Sequence, residues 1–335
     1  MKRILSLIFL ILLVAGTVFI LSRSKYQTSE GQIFGTTYHV RYNATHSYDK
    51  EIAEELNRVD TIFSLFKENS LLSRFNRGED KGIGNPLFTE VIKLSLEISN
   101  DTEGAFDITV APLVNAWGFG FKNKQPLTDN QVDSLRKLVG YQHLSFDGKQ
   151  LTKDIPNLQI DCGAVAKGYA VDRIAKLLSE KGCQNYMIEI GGEVVVKGKN
   201  DKGEKWKIGI NKPTENANTS DEELETLLSL TNCGIATSGN YRNFYIKDGK
   251  KYAHSIDPKT GYPVQHSLLS ATVVSNSCAK SDALATAFMV MGLDKAKAYV
   301  QTHKDVHVYF IYADAKGNYQ VWMSDGMKPL IDLQP

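Results

Sequence analysis

YMIEIGGEVVVKG, residues 186–198, is two runs of apolar and β-branched residues separated only by Gly191-Gly192. Short runs of this kind bounded by glycine read as strands. The two glycines permit positive φ, or a close approach of backbone to a ligand, between them. Strands dominate downstream as well: WKIGI (206–210), LSLTNCGIATSG (228–239), a hairpin from Tyr241 to Ile256 around Asp248-Gly249, LLSATVVSN (268–276), HVYFIYAD (307–314) and YQVWM (319–323). Upstream, GTTYHVRYN (35–43) alternates as a strand and NLQID (157–161) reads as a short one. Helical spacing marks DKEIAEELNRVDTIFSLF (49–66), TEVIKLSLEISND (89–101), a third helix from about Asn130 to Val139, GAVAKGYAVDRIAKLLSEKG (163–182), CAKSDALATAFMVMG (278–292) and a segment starting near Asp294. Strands in hairpins with helices in groups give an α+β class rather than a doubly wound sheet. No GxGxxG follows a strand and no GxxxxGK[ST] occurs, so neither Rossmann nor P-loop nucleotide binding is supported.

The chain has 335 residues, 42% hydrophobic and 23% charged, with a formal net charge of +1. That balance supplies no field for nucleic acid, and none is expected as a partner. At the N-terminus, Lys2 and Arg3 precede an apolar run from Ile4 to Leu21, long enough to span most of a bilayer core of about 30 Å. Ala15-Gly16 could be a signal-peptide cleavage site, but cleavage there would leave TVFIL on the mature protein. The first cysteine is Cys162, which excludes a lipoprotein. The expectation is an uncleaved membrane anchor with a polar tether over residues 1–30, a single exported domain over 31–335, and a location at the bacterial inner membrane facing the periplasm or exterior. Cys162, Cys183, Cys233 and Cys278 show no metal spacing and read as buried free thiols.

Three stretches can carry chemistry. In IDCGAVAKGYAVDRI, small residues bring the chain to a helix start where anions are favoured, with Lys167 one turn in; the same residues would also serve close helix packing. In SCAKSDALATAFMVMG, Asp282 and Thr286 are four apart on one helical face. A carboxylate and a hydroxyl suit Mg²⁺ once other oxygens complete the shell, although a lone Thr can simply bond back to its own helix. In HSIDPKTGYPV (254–264), Asp257-Pro258 halts a strand, and Thr260-Gly261 with Pro263 stiffens the loop. A loop this rigid would aim His254 and Asp257 into a site, or hold a histidine that only caps its strand. Thr237-Ser238-Gly239 offers two hydroxyls at a tight turn. Trp117, Phe119 and Phe121 of NAWGFGF read as packing.

In order, GAFDITVAPLVNAWGFG, IDCGAVAKGYAVDR, EIGGE, ATSGNYRN, HSIDPKTGYPV and SDALATAFMVMG resemble the ApbE family of flavin transferases, over about Gly31 to Asp332. The resemblance implies a fold related to tandem T-fold sheets, with helices on mostly antiparallel sheets and FAD in a cleft between subdomains. It places flavin contacts on Phe34, Phe66, Ala105, Phe106, Asp107, Asp161, Lys167 and Ile256. It places Mg²⁺ ligands on Ala164 (through its carbonyl), Asp282 and Thr286. Some members have Met and Tyr in place of Phe34 and Phe66, Glu in place of Lys167, and a second metal-side Asp in place of Ala285.

The implied reaction is covalent flavinylation: FMN passes from FAD to a Ser or Thr hydroxyl of an acceptor protein, and AMP leaves. His254 would take the hydroxyl proton, with Asp257 orienting it or acting in its place. The acceptors implied are proteins of respiratory or ion-pumping redox complexes. Two other functions use the same residues: an exported FAD pyrophosphatase with water as nucleophile, and a tethered flavin-binding protein without turnover.

Overall fold

The structure, a computed structural model, describes residues 25–80, 84–120, 127–148, 150–213, 224–240, 244–247 and 250–332. The expected anchor therefore lies outside the described residues, as do Phe121 and the Asp248-Gly249 turn. Among the described residues no helix is long and apolar enough to cross a membrane.

In chain order the strands are β1 (Lys25–Ile33), β2 (Thr36–Ala44), β3 (Leu144–Phe146), β4 (Leu151–Lys153), β5 (Tyr186–Ile190), β6 (Glu193–Lys197), β7 (Trp206–Asn211), β8 (Leu224–Leu230), β9 (Cys233–Gly239), β10 (Phe244–Lys247), β11 (Lys250–Ala253), β12 (Leu268–Ser275), β13 (His307–Ala313) and β14 (Tyr319–Met323). The α-helices are α1 (Asp49–Phe63), α2 (Leu71–Asn76), α3 (Pro86–Asp101), α4 (Ala111–Ala116), α5 (Asp129–Arg136), α6 (Ala166–Glu180), α7 (Cys278–Met291) and α8 (Leu293–Thr302). Eight strands form one sheet in the order β1-β2-β5-β6-β9-β12-β13-β14. Every pairing within it is antiparallel. The α+β expectation holds.

The period of two in β5 and β6 sorts side chains between two cores. Ile188, Ile190 and Val195 face α6 and α7 in the larger core. Val194 and Val196 join Trp206, Leu228 and Leu230 of the β7–β8 hairpin on the opposite face. A third, small cluster of Leu113, Trp117, Val132 and Ile256 gathers α4, α5 and the loop after β11.

Helix α7 is mostly apolar, as suits a largely buried helix; Ala283, Leu284, Ala285, Ala287 and Phe288 are fully buried. Two glycines let it approach its neighbours. A Cβ on Gly168 of α6 would lie 2.5 Å from the Cys278 carbonyl oxygen and 2.8 Å from the Asp282 Cβ. A Cβ on Gly234 of β9 would lie 2.6 Å from the Cys278 Cα. The obstacle in both cases is helix backbone, which no rotamer change relieves. Gly234→Ala is therefore expected to destabilise by roughly 1–3 kcal/mol, read as a lower urea midpoint at unchanged m-value.

Three local expectations are corrected. The tether ends at Lys25, where β1 begins, and β1 pairs with β2 along its length. As an edge strand with mostly polar residues, β1 carries no hydrophobic alternation to reveal it. Residues 157–161 form no strand. Leu158 and Ile160 are buried, but the Ile160 amide donates to Asn76 Oδ1 (2.8 Å) and its carbonyl accepts from Asn76 Nδ2 (2.9 Å), so one side-chain amide replaces a neighbouring strand. Thr237-Ser238-Gly239 ends β9 rather than making a turn, paired with residues 270–272 of β12.

Candidate active site

The Gly191-Gly192 turn has φ of 59° and 101° and closes the β5–β6 hairpin between Ile190 and Glu193. At the same end of the sheet, Phe34 (φ 53°) and Gly35 (φ 74°) close the β1–β2 hairpin. Two central residues with positive φ match the twist of a tight hairpin, but phenylalanine rarely adopts it. A strained aromatic residue of this kind is a functional-site signal.

Beside these turns lies a cavity of about 380 Å³. One wall is α7, which presents Asp282, Thr286 and Val290 at intervals of four residues. The loop before α6 contributes Asp161, Gly163 and Ala164, and α6 contributes Lys167; Glu193 of β6 and Ser238 of β9 complete that side. Ala105, Phe106, Asp107, Val114 and Phe119 also line it, with His254 and Ile256 from the loop after β11. A second compartment of about 570 Å³ shares Val114, Phe119, Asp161, Gly163 and Lys167 and adds Phe34 and Phe66. Phe66 is 84% exposed. Twelve of the thirteen expected site residues thus line one continuous groove.

The thirteenth, Asp257, does not line it. Its Oδ1 accepts from the Lys259 amide (2.9 Å), its backbone amide donates to the Tyr262 carbonyl, and its carbonyl accepts from the Gly261 amide. It borders a neighbouring depression with Lys259 and Lys295. The rigid loop therefore uses Asp257 to close its own turn, and of the two candidate bases only His254 lines the cavity. The His254 ring stands edge-on to Phe119, with centroids 6.5 Å apart. Trp117 braces the loop by donating from Nε1 to the Gly261 carbonyl (2.9 Å).

The walls are fixed by carboxylates with dedicated partners. Asp107 Oδ1 accepts from the Thr109 amide (2.8 Å) and hydroxyl (2.7 Å), and its Oδ2 accepts from the Tyr141 amide (2.8 Å). Burial pushes its pKa up while these bonds pull it back. Asp107 therefore shapes the wall rather than offering a free charge. Asp161 Oδ1 accepts from the Gly163 amide (2.7 Å), and its own amide donates to the Ile108 carbonyl, tying the two segments together. This turn delays α6 to Ala166, three residues after the expected start at Gly163.

Asp282 Oδ2 accepts from the Gly168 amide (3.0 Å), and Thr286 Oγ1 lies 3.3 Å from Ser238 Oγ. Burial raises the Asp282 carboxyl, opposed by Lys167 and the Gly168 amide. Burial and then the charge of Asp282 raise the Glu193 carboxyl, opposed by Lys167. Burial alone would lower the Lys167 ammonium, but Asp282 and Glu193 outweigh it and hold its pKa above the ordinary lysine value. Among the described residues no group of three His, Cys, Asp or Glu could hold a metal by itself. The donor set of Asp282, Thr286 and the Ala164 carbonyl is all oxygen, which suits a hard divalent cation completed by ligand oxygens or water.

Sequence reasoning missed several residues. Phe119 was read as packing yet lines both compartments. Glu193 had no assigned role, though a carboxylate opening the apolar run EVVV was a visible signal. Asp172 of α6 caps α7 from outside, accepting from Ser277 Oγ (2.7 Å) and the amides of Cys278 (3.0 Å) and Ala279 (2.9 Å). No local pattern marks such a cap. All four cysteines are free, as expected, with Cys233 half-buried and the others buried.

The groove brings an oxygen-donor cluster, a buried lysine–carboxylate pair and a histidine against apolar side chains, an arrangement able to hold a phosphate-bearing ligand and to move a proton. The chain belongs to the ApbE family, whose model matches residues 34–310. It is 37% identical over 336 residues to the FAD:protein FMN transferase of Haemophilus influenzae, covering 95% of each chain. It is 36% identical over 312 residues to that of Vibrio cholerae, covering 90% of this chain and 91% of the other. Among solved structures, the flavin transferase ApbE from Vibrio cholerae superposes with a TM-score of 0.82 at 35% identity, covering 92% of this chain and 99% of that one. The apo form of Pseudomonas stutzeri flavinyl transferase ApbE superposes at 0.79 and 30% identity, covering 92% and 97%.

Proposed function

We propose that this protein transfers FMN from FAD to a Ser or Thr hydroxyl of an acceptor protein and releases AMP. The observation that carries this reading is the convergence of Asp282, Thr286 and His254 on one cavity large enough for part of a dinucleotide. Phe106, Val114, Phe119 and Ile256 supply an apolar surface for the flavin ring. His254 takes the proton of the acceptor hydroxyl. The hydroxyl oxygen then forms a bond to the FMN phosphorus while the bond from that phosphorus to the bridging oxygen breaks, and AMP departs with the electron pair. Mg²⁺, bound by Asp282, Thr286 and the Ala164 carbonyl, would neutralise charge on the pyrophosphate. Placement and charge stabilisation do most of the work in such transfers.

The acceptors proposed are exported or membrane-bound proteins of respiratory or ion-pumping redox complexes, and residues 1–24 hold the enzyme at the same membrane. Incubating membrane-extracted protein with FAD, Mg²⁺ and candidate acceptors should add the FMN mass to an acceptor peptide, while the enzyme's own intact mass retains residues 1–24. AMP release without acceptor would instead identify an FAD pyrophosphatase. Tight FAD binding without any AMP would identify a flavin carrier.

A further inference from the structure

Glu193 and Lys167 form a pair between β6 and α6; Lys167 is among the expected flavin contacts, whereas the proposed chemistry gives Glu193 no role. Glu193 Oε1 accepts from the Lys167 ammonium, and Oε2 is buried with no hydrogen-bond partner. The Glu193 side chain is 6% exposed, whereas that of Lys167 is 32% exposed. Lys167 lines both compartments and so stands at their seam. Among the described residues lining the groove, the only other lysine is Lys67, which pairs with Asp60 at 2.5 Å. The floor otherwise carries Asp161, Glu193 and Asp282, a surface that repels phosphate.

An ammonium has three donors, and Glu193 accepts one. We propose that Glu193 is a positioning residue that fixes Lys167 at the seam, where the remaining donors take a phosphate oxygen of the bound dinucleotide. This rests on the flavin reading above. Lysine is a point charge on a flexible stem, and two carboxylates compete for it here. The direct bond to Glu193 keeps the ammonium off Asp282, leaving the Asp282 carboxylate beside Thr286 and the ammonium free for the ligand. The apolar wall has no comparable preference for phosphate, so the pair should separate FAD from riboflavin.

The test is equilibrium flavin-fluorescence quenching of the full chain with FAD and with riboflavin, each in EDTA and in Mg²⁺, with melting temperatures on the same preparations. Lys167→Met should weaken FAD binding about tenfold or more, the scale of a lost charge-assisted hydrogen bond, while riboflavin stays within about twofold. Glu193→Gln keeps the shape but loses the charge that holds the ammonium, and should weaken FAD several-fold with little change for riboflavin. Lys167→Arg should recover most of the FAD affinity. Equal losses for both ligands, or no loss for FAD in either Lys167→Met or Glu193→Gln, would overturn the proposal. If the unaltered protein quenches neither flavin, the flavin reading itself fails. If Lys167→Met does not fold, the Glu193→Gln and Lys167→Arg comparison still decides.

Discussion

Asp282→Ala should lower FMN transfer on the order of 10²- to 10³-fold or more, the scale of losing a preorganised electrostatic contact in a dry site. The carboxylate is buried on α7, its Oδ2 is held by the Gly168 amide, and Thr286 sits one turn away. Alanine is a good helix former, and α7 is already packed as an apolar helix, so circular dichroism should change little. Asp282→Asn separates charge from shape, because the amide oxygen can still accept from Gly168. If the carboxylate charge holds Mg²⁺, Asn should be nearly as inactive as Ala and require far more Mg²⁺ for any residual rate. Full transfer by Asp282→Ala at ordinary Mg²⁺ would remove Asp282 from the mechanism.

For His254→Ala the expected loss is roughly 10²- to 10⁴-fold in the single-turnover rate, the usual range for a missing general base. FAD affinity and melting temperature should stay close to those of the unaltered protein. Phe106, Val114 and Ile256 remain in place, and the loop is still closed by Asp257 and braced by Trp117. A histidine that only caps β11 predicts the reverse: lower stability and weaker FAD binding, with turnover of the folded protein near normal. Asp257→Asn should leave the rate largely intact, since its carboxylate closes a turn outside the cavity.

Candidate site residues were legible from the chain where a short motif gave a chemical reason, whereas Phe34, Phe66 and Ala105 to Asp107 rested on the family resemblance alone. The i, i+4 spacing of Asp282 and Thr286 put them on one helical face, and two prolines with a glycine marked the His254 loop as rigid. Spacing could not tell which of His254 and Asp257 faces inward. That depends on where the Asp257 carboxylate finds its donors, and the Lys259 amide satisfies it locally. The small residues of 163–170 proved to serve two ends: Gly163 and Ala164 line the cavity, while Gly168 admits the backbone of α7.

By itself the sequence determined the fold class, the β5–β6 hairpin with its glycine turn, most of the helices and the family. These follow from periodicity and turn chemistry, which act over a few residues and leave their mark on the chain. Tertiary structure alone decided where hydrogen bonds and charges are satisfied across long separations. Asn76 stands in for a strand beside Ile160, Asp172 caps α7 from α6, and Glu193 on β6 holds Lys167 on α6. A buried polar group must find a partner, but the partner can lie anywhere the fold brings within about 3 Å. That choice is written in packing, not in spacing along the chain.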